Sequence, residues 1–270
     1  MSKIKKLFIA QLTLLLFLSN FTSCFGAELS VSAQAYLLMD AKTGQILLEK
    51  NAFEKRAPAS TTKILTAIMA LEQGGLERKV KVSPHAASIG ESSIYLEPGE
   101  EISVLRLVQG ALIKSGNDAT VALAEYYCGS EELFSVLMNR KAKLLGAFNS
   151  NFKNPNGLPL KNHYTTAFDL AQMARYSLKN PIFKEIVSTK EMKIPYENKS
   201  WARYLKNTNK LLWKYPGADG IKTGTTREAG CCLVASATRG NRQLIAVVLH
   251  SFDRFGEAAR LLDYGFENSK

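Results

Sequence analysis

Ser60 and Lys63 stand three residues apart at the head of an apolar segment. On a helix that spacing places a hydroxyl and an amine on one face, one turn apart. A serine hydroxyl is a poor nucleophile at neutral pH until a base takes its proton. A lysine can be that base where burial and nearby positive charge favour its neutral form. The same S-x-x-K spacing recurs at Ser2–Lys5 and in a polar stretch at Ser150–Lys153, but only Ser60 opens a helix, at the positive end of its dipole. Ser115-Gly116-Asn117 makes a turn between two helical stretches. Its hydroxyl can relay a proton to a leaving amine and its carboxamide can hold Lys63 or a substrate amide, although the tripeptide also reads as an ordinary capping turn. Lys222-Thr223-Gly224 lies in a strand-like run, offering a fixed positive charge, a hydroxyl for a carboxylate, and a glycine that lets a ligand backbone approach. The amide of Thr225 can join that of Ser60 around a developing oxyanion. A second K-T-G, Lys42-Thr43-Gly44, reads as a hairpin turn, so the signal lies in the order of the three motifs.

Several elements must hold these residues. Residues 35–39 and 45–48 are apolar runs separated by Asp40-Ala41-Lys42-Thr43-Gly44, which predicts a β-hairpin. Residues 61–73 are apolar around nearly the whole helical circumference and stop at Gly74-Gly75, the pattern of a helix buried on all sides. Helical periodicity follows over residues 104–114, 119–127, 131–145 and 166–178. Strand-like runs cover 220–224, 231–238 and 244–251, and a last helix runs from about 255 to 264. The fold class is therefore α/β of the α+β kind. It has a five-stranded antiparallel sheet flanked by helices (residues 30–75 and 215–268) and a mostly helical part (residues 76–214), with the active site between them.

The motifs Pro58-Ala59-Ser60-Thr61-Thr62-Lys63, Ser115-Gly116-Asn117-Asp118-Ala119, Asn207-Thr208-Asn209 and Gly220-Ile221-Lys222-Thr223-Gly224 occur in that order. With Ala229-Gly230 and Leu233-Val234-Ala235-Ser236-Ala237 downstream, the chain from Gln34 to Phe266 resembles the serine D-alanyl-D-alanine carboxypeptidases, the low-molecular-weight penicillin-binding proteins. The resemblance implies a penicillin-binding-protein and serine β-lactamase-like fold, a catalytic domain over residues 30–268, and acyl transfer on peptidoglycan stem peptides. It implies Ser60 as nucleophile, Lys63 as its base, and Ser115 as proton relay. Asn117, Lys222, Thr223, Gly224 and Thr225 would bind substrate, and Arg254 matches an arginine that assists at the substrate carboxylate. β-Lactams would be covalent inhibitors. Class A β-lactamases share this motif order but deacylate with a glutamate between the second and third motifs. Residues 133–168 hold no Asp or Glu, and Asn154-Pro155-Asn156-Gly157-Leu158 stands there instead. A stable penicilloyl adduct is expected. D,D-endopeptidase action uses the same chemistry, and a non-catalytic wall-binding relative would be expected to lose Ser60 or Lys63 first.

With 46% hydrophobic and 22% charged residues in 270, the chain can bury sizeable cores, which excludes disorder, collagen and coiled-coil arrays. Four cysteines and three histidines, without an H-E-x-x-H or paired C-x-x-C, leave no zinc pattern, so neither metal nor cofactor is expected. Lys3, Lys5 and Lys6 precede an apolar run from Leu7 to Leu18, and Cys24 and Gly26 suit a cleavage site, so residues 1–26 read as a signal peptide. The protein is expected outside the cytoplasm, at the cell wall or the outer face of the cytoplasmic membrane. Relatives carry a further β-rich domain and a C-terminal anchor not found in this sequence, so any membrane association would come from the N-terminus, through lipid on Cys24 or an uncleaved signal segment. Removing the three signal lysines lowers the formal charge of +11 by three. The remaining excess suits anionic wall polymers or solubility alone, and no nucleic acid partner is expected. Cys231 and Cys232 should point to opposite faces of a strand, Cys128 should pack, His85, His163 and His250 suggest no base, and Trp201, Tyr204 and Trp213 are expected to pack in the core rather than to wall a substrate site.

Overall fold

The apolar runs Ala35–Asp40 (β1) and Ile46–Lys50 (β2) pair antiparallel. The Asp40 carboxylate closes their turn by accepting the amides of Lys42 and Thr43 at 3.0 and 2.9 Å. The structure, a computed structural model, describes residues 29–196 and 199–268. The signal segment 1–26, with Cys24, lies outside the described residues, as does nearly all of a first unit, Met1–Ser30; the second unit, Val31–Lys270, carries everything below.

A single 3-10 turn, Ala59–Thr62, leads into α1 (Lys63–Glu72), and Gly74 and Gly75, both at positive φ, stop it. All of α1 from Lys63 to Leu71 is buried except Met69, as its all-round apolar sequence predicts. Beyond it come β3 (Lys79–Lys81), α2 (Pro84–Ser88), β4 (Glu101–Ser103), α3 (Val104–Gln109), α4 (Asn117–Cys128), α5 (Glu131–Leu144), α6 (Ala167–Ser177) and α7 (Pro181–Ser188). Then follow β5 (Glu191–Pro195), β6 (Ala202–Lys206), the short α8 (Leu211–Lys214), β7 (Ala218–Thr226), β8 (Gly230–Arg239), β9 (Arg242–Ser251) and α9 (Arg254–Asn268).

The five-stranded sheet has the order β2-β1-β9-β8-β7, antiparallel throughout, so the strand nearest the C-terminus is its centre. Both faces are covered, which is why β1, β8 and β9 read as continuous apolar runs. Leu37, Met39, Ile245 and Val247 share one core layer with Ile64, Leu65, Ile68 and Phe183. On the other face α9 lies so close that a side chain at Gly265 would strike Leu38 and Leu244.

Differences from the sequence reading have local causes. The helix expected over 104–114 changes to a π turn at Gly110–Lys114, ending on Ser115 in the left-handed region at φ 70°. The middle region also contains α7 and two small two-stranded sheets, β3–β4 and β5–β6. Trp201, Tyr204 and Trp213 are not in the core: they are 56%, 53% and 40% exposed. Cationic or polar partners cover them instead. Lys199 lies over Trp201 and Lys206 over Trp213, while Tyr204 bonds the Glu191 carboxylate. Cys231 is half-buried, Cys232 buried, and both are free, as is Cys128.

Candidate active site

Ser60 sits in the 3-10 turn, and Ala59 before it is held at φ 47°, an uncommon conformation for a residue with a Cβ. Two close backbone approaches maintain that turn. Gly157 has φ 91° and no room for a Cβ, which would overlap the Ala59 carbonyl; a Cβ on Gly224 would stand 3.0 Å from the Ser60 nitrogen and from the Pro58 oxygen. The strand carrying Gly224 and the loop carrying Gly157 therefore grip Ser60 from two sides.

Lys63, fully buried, has three partners. Its Nζ lies 2.9 Å from Ser60 Oγ, 2.7 Å from Asn117 Oδ1 and 2.6 Å from the Asn156 carbonyl oxygen. The last two can only accept, so they fix two N–H bonds of the amine and leave its third direction facing the serine. When Lys63 is neutral, that direction is a lone pair aimed at the Ser60 hydroxyl. Burial, and then the charge of Lys222, hold the Lys63 ammonium well below the usual lysine range, with Asp118 and Glu91 opposing.

Across the cleft Lys222 Nζ donates to Ser115 Oγ at 3.0 Å and to the Thr223 carbonyl at 2.9 Å. Burial, followed by the Arg254 charge, brings Lys222 down to about 7. Thr223 Oγ1 shares a hydrogen bond of 2.6 Å with Thr208 Oγ1. Arg254, at the head of α9, donates through Nη1 to the Gly224 carbonyl at 2.8 Å and Thr225 Oγ1 at 2.6 Å. Ser60, Lys63, Ser115, Asn117, Lys222, Thr223, Gly224, Thr225 and Arg254 thus form one connected site.

Sequence reasoning did not find the Asn156 carbonyl, which no side-chain type announces, or Thr208, whose only signal is the polar run Asn207-Thr208-Asn209. Asn209 Nδ2 holds the Gly220 carbonyl at 2.7 Å, so this run supports the start of β7. His163 is buried against Thr62 Oγ1 at 3.2 Å and pushed by burial to about 4. It is neutral at pH 7 and packs behind the turn. Among the described residues no group of three or more His, Cys, Asp or Glu could hold a metal ion, and no helix is long and apolar enough to cross a membrane.

A five-stranded antiparallel sheet meeting a helical region at such a cleft is the fold of the DD-peptidases. The Streptomyces K15 DD-transpeptidase superposes with a TM-score of 0.83 at 34% identity, over 88% of this chain and 98% of that one. The chain belongs to the D-alanyl-D-alanine carboxypeptidase family, whose sequence pattern matches residues 23–253. It is 45% identical over 248 residues to the D-alanyl-D-alanine carboxypeptidase DacF of Bacillus subtilis, covering 89% of this chain and 64% of that protein. To DacC of Escherichia coli K12, named for the same activity, it is 40% identical over 253 residues, covering 88% of this chain and 62% of that protein. The chain thus spans a little under two thirds of the length of these two relatives.

Proposed function

We propose that this chain is a serine D-alanyl-D-alanine carboxypeptidase that removes the terminal D-alanine from peptidoglycan pentapeptide stems. The observation that carries the reading is the buried Lys63 amine 2.9 Å from Ser60 Oγ, with its other hydrogens committed to Asn117 and Asn156. Lys63 takes the Ser60 proton as the oxygen bonds the penultimate D-alanine carbonyl carbon. The amides of Ser60 and Thr225 hold the resulting oxyanion. Ser115, held by the Lys222 ammonium at 3.0 Å, relays the proton that Lys63 took from Ser60 to the departing D-alanine nitrogen as the C–N bond breaks, and water then hydrolyses the ester. Lys222, Thr223 and Arg254 attract the terminal carboxylate, and Asn117 orients the stem peptide.

Penicillin acylates the same serine, and the adduct persists because residues 133–168 supply no carboxylate to activate water. D-Alanine release from a pentapeptide muropeptide, run beside intact mass after penicillin, tests both statements. Ser60→Ala is expected to lose release and adduct while remaining folded. Undiminished release would remove Ser60 from the mechanism, and rapid penicillin hydrolysis without an adduct would favour a β-lactamase. Including an amine acceptor in the assay separates hydrolysis from the transfer for which the Streptomyces relative is named. The substrate sets the location: the enzyme acts outside the cytoplasm, exported by residues 1–26, with lipid on Cys24 or an uncleaved signal segment as the route to any membrane. The mass of the mature N-terminus distinguishes cleavage after Gly26 from lipidation.

A further inference from the structure

Residues 90–96 run as a strap along the turn that carries Asn117. The Gly90 carbonyl accepts from Asn117 Nδ2 at 3.0 Å, the Ser92 carbonyl from the Asn117 amide at 2.7 Å, and Ser92 Oγ donates to the Lys114 carbonyl at 3.0 Å. Because Nδ2 is committed to Gly90, Oδ1 is the atom left to face Lys63. The strap therefore decides which way the carboxamide points.

The strap is gripped from both sides. From inside, the fully buried Asp118 carboxylate accepts from the amides of Ile94 and Leu96 at 3.1 Å and from Ser93 Oγ at 2.6 Å. From outside, Arg203 on β6 donates through Nε to the Ile94 carbonyl at 2.7 Å and through Nη2 to the Tyr95 carbonyl at 3.1 Å. Its guanidinium is paired with Glu100, through Nη1 at 2.6 Å, and lies 3.6 Å from the centre of the Tyr196 ring. Glu91 and Tyr95 have φ of 65° and 60°, conformations that residues with a Cβ keep only where their surroundings impose them. The outer grip adds the two hydrogen bonds that Arg203 makes to the Ile94 and Tyr95 carbonyls, at the end of the strap where the Tyr95 backbone is strained.

We propose that Arg203 is a positioning residue: by fixing the carbonyls of Ile94 and Tyr95 it holds the strap, and through Asn117 it aims the Lys63 amine at Ser60. This rests on the reading of Lys63 as the base. Arg203 acts on the chemical step without touching substrate, from a hairpin outside the cleft. A planar fork is required, since an ammonium at position 203 can pair with Glu100 but cannot span two successive carbonyls.

The test is the rate of penicillin acylation, followed by intact mass at saturating and limiting penicillin, in Arg203→Lys, Asn117→Ala and the double variant. Arg203→Lys is expected to lower the limiting acylation rate about 10- to 100-fold with little change in half-saturation, because the defect lies in orientation at the transition state. In the Asn117→Ala background the same change should do almost nothing, since the link it acts through is gone. Equal losses in both backgrounds, or no loss in either, would overturn the proposal. If Arg203→Lys is not folded by circular dichroism, Tyr196→Leu makes the same comparison, withdrawing the ring beneath the guanidinium while leaving Arg203 in place. Lack of a Ser60 adduct in the unaltered chain would defeat the nucleophile assignment and this proposal together; a normal adduct there with unchanged variants defeats the proposal alone.

Discussion

Lys63 and Lys222 share one buried site, and each has its charge penalised by desolvation before any neighbour acts. In the proposed mechanism their tasks are opposite: the base must be neutral and the carboxylate partner charged. In the free enzyme Lys222 loses its proton near 7, so kcat/KM for D-alanine release should fall as pH rises through about 7. A bound carboxylate restores that charge, and kcat should persist to higher pH. A peptide with an amidated C-terminus should lack the alkaline fall in kcat/KM; an identical profile for both peptides would remove Lys222 from carboxylate binding. The same shift predicts a stability trend. Unfolded lysine keeps its proton to about 10.5, whereas folded Lys222 releases it at about 7. Between those values the unfolded chain binds more protons, so stability rises with pH there and this contribution is lost as pH falls through 7. Urea denaturation of the unaltered chain and Lys222→Met should show their difference narrowing from pH 7 toward pH 10.

At the scale of elements, β7 and the Asn154–Leu158 loop hold the turn that carries Ser60 at the head of α1. Ile68 is buried in the middle of α1, and Ile68→Ala should cost about 2–5 kcal/mol in urea denaturation through the cavity it leaves. Gly157→Ala should cost at least about 1–3 kcal/mol from its positive φ alone. It should also depress penicillin acylation, because the added methyl meets the Ala59 carbonyl beside Ser60. Acylation at the unaltered rate would show that the turn tolerates a shift. Helix α1 and strands β8 and β9 were legible because burial on every side leaves nearly unbroken apolar runs, and β7 because its Lys222-Thr223-Gly224 motif marks it. The side chains meeting at Ser60 were legible because three short motifs name them in order. The Asn156 carbonyl was not, since any residue supplies one. Helix α7 was missed although Asn180 and Pro181 announce it: Asn180 Oδ1 caps the amides of Ile182 and Phe183 at 3.0 and 3.1 Å. Trp201 and Trp213 misled because aromatic residues ordinarily signal a core, and here lysines shelter them on the surface.

At the scale of the whole molecule, the formal charge of +11 for the full sequence, which falls by three once residues 1–26 are removed, meets a proposed substrate that ends in a carboxylate. Encounter with an anionic peptide should therefore weaken with salt, and kcat/KM should drop several-fold between about 0.05 and 0.5 M ionic strength, as screening shortens the reach of the field. A neutral, amidated peptide should lose much less; equal losses would make the charge irrelevant to capture. The sheet order has a further consequence, for synthesis. Its central strand, β9, pairs with β1 from Ala35 opposite Leu249 to Asp40 opposite Leu244, so the first hairpin waits for a partner made near the end. Chains stalled on the ribosome before residue 242 should remain open to protease, and resistance should arrive only once residue 251 has emerged. The ordering that puts the last strand in the middle thereby keeps the nascent polypeptide threadable for most of its translation.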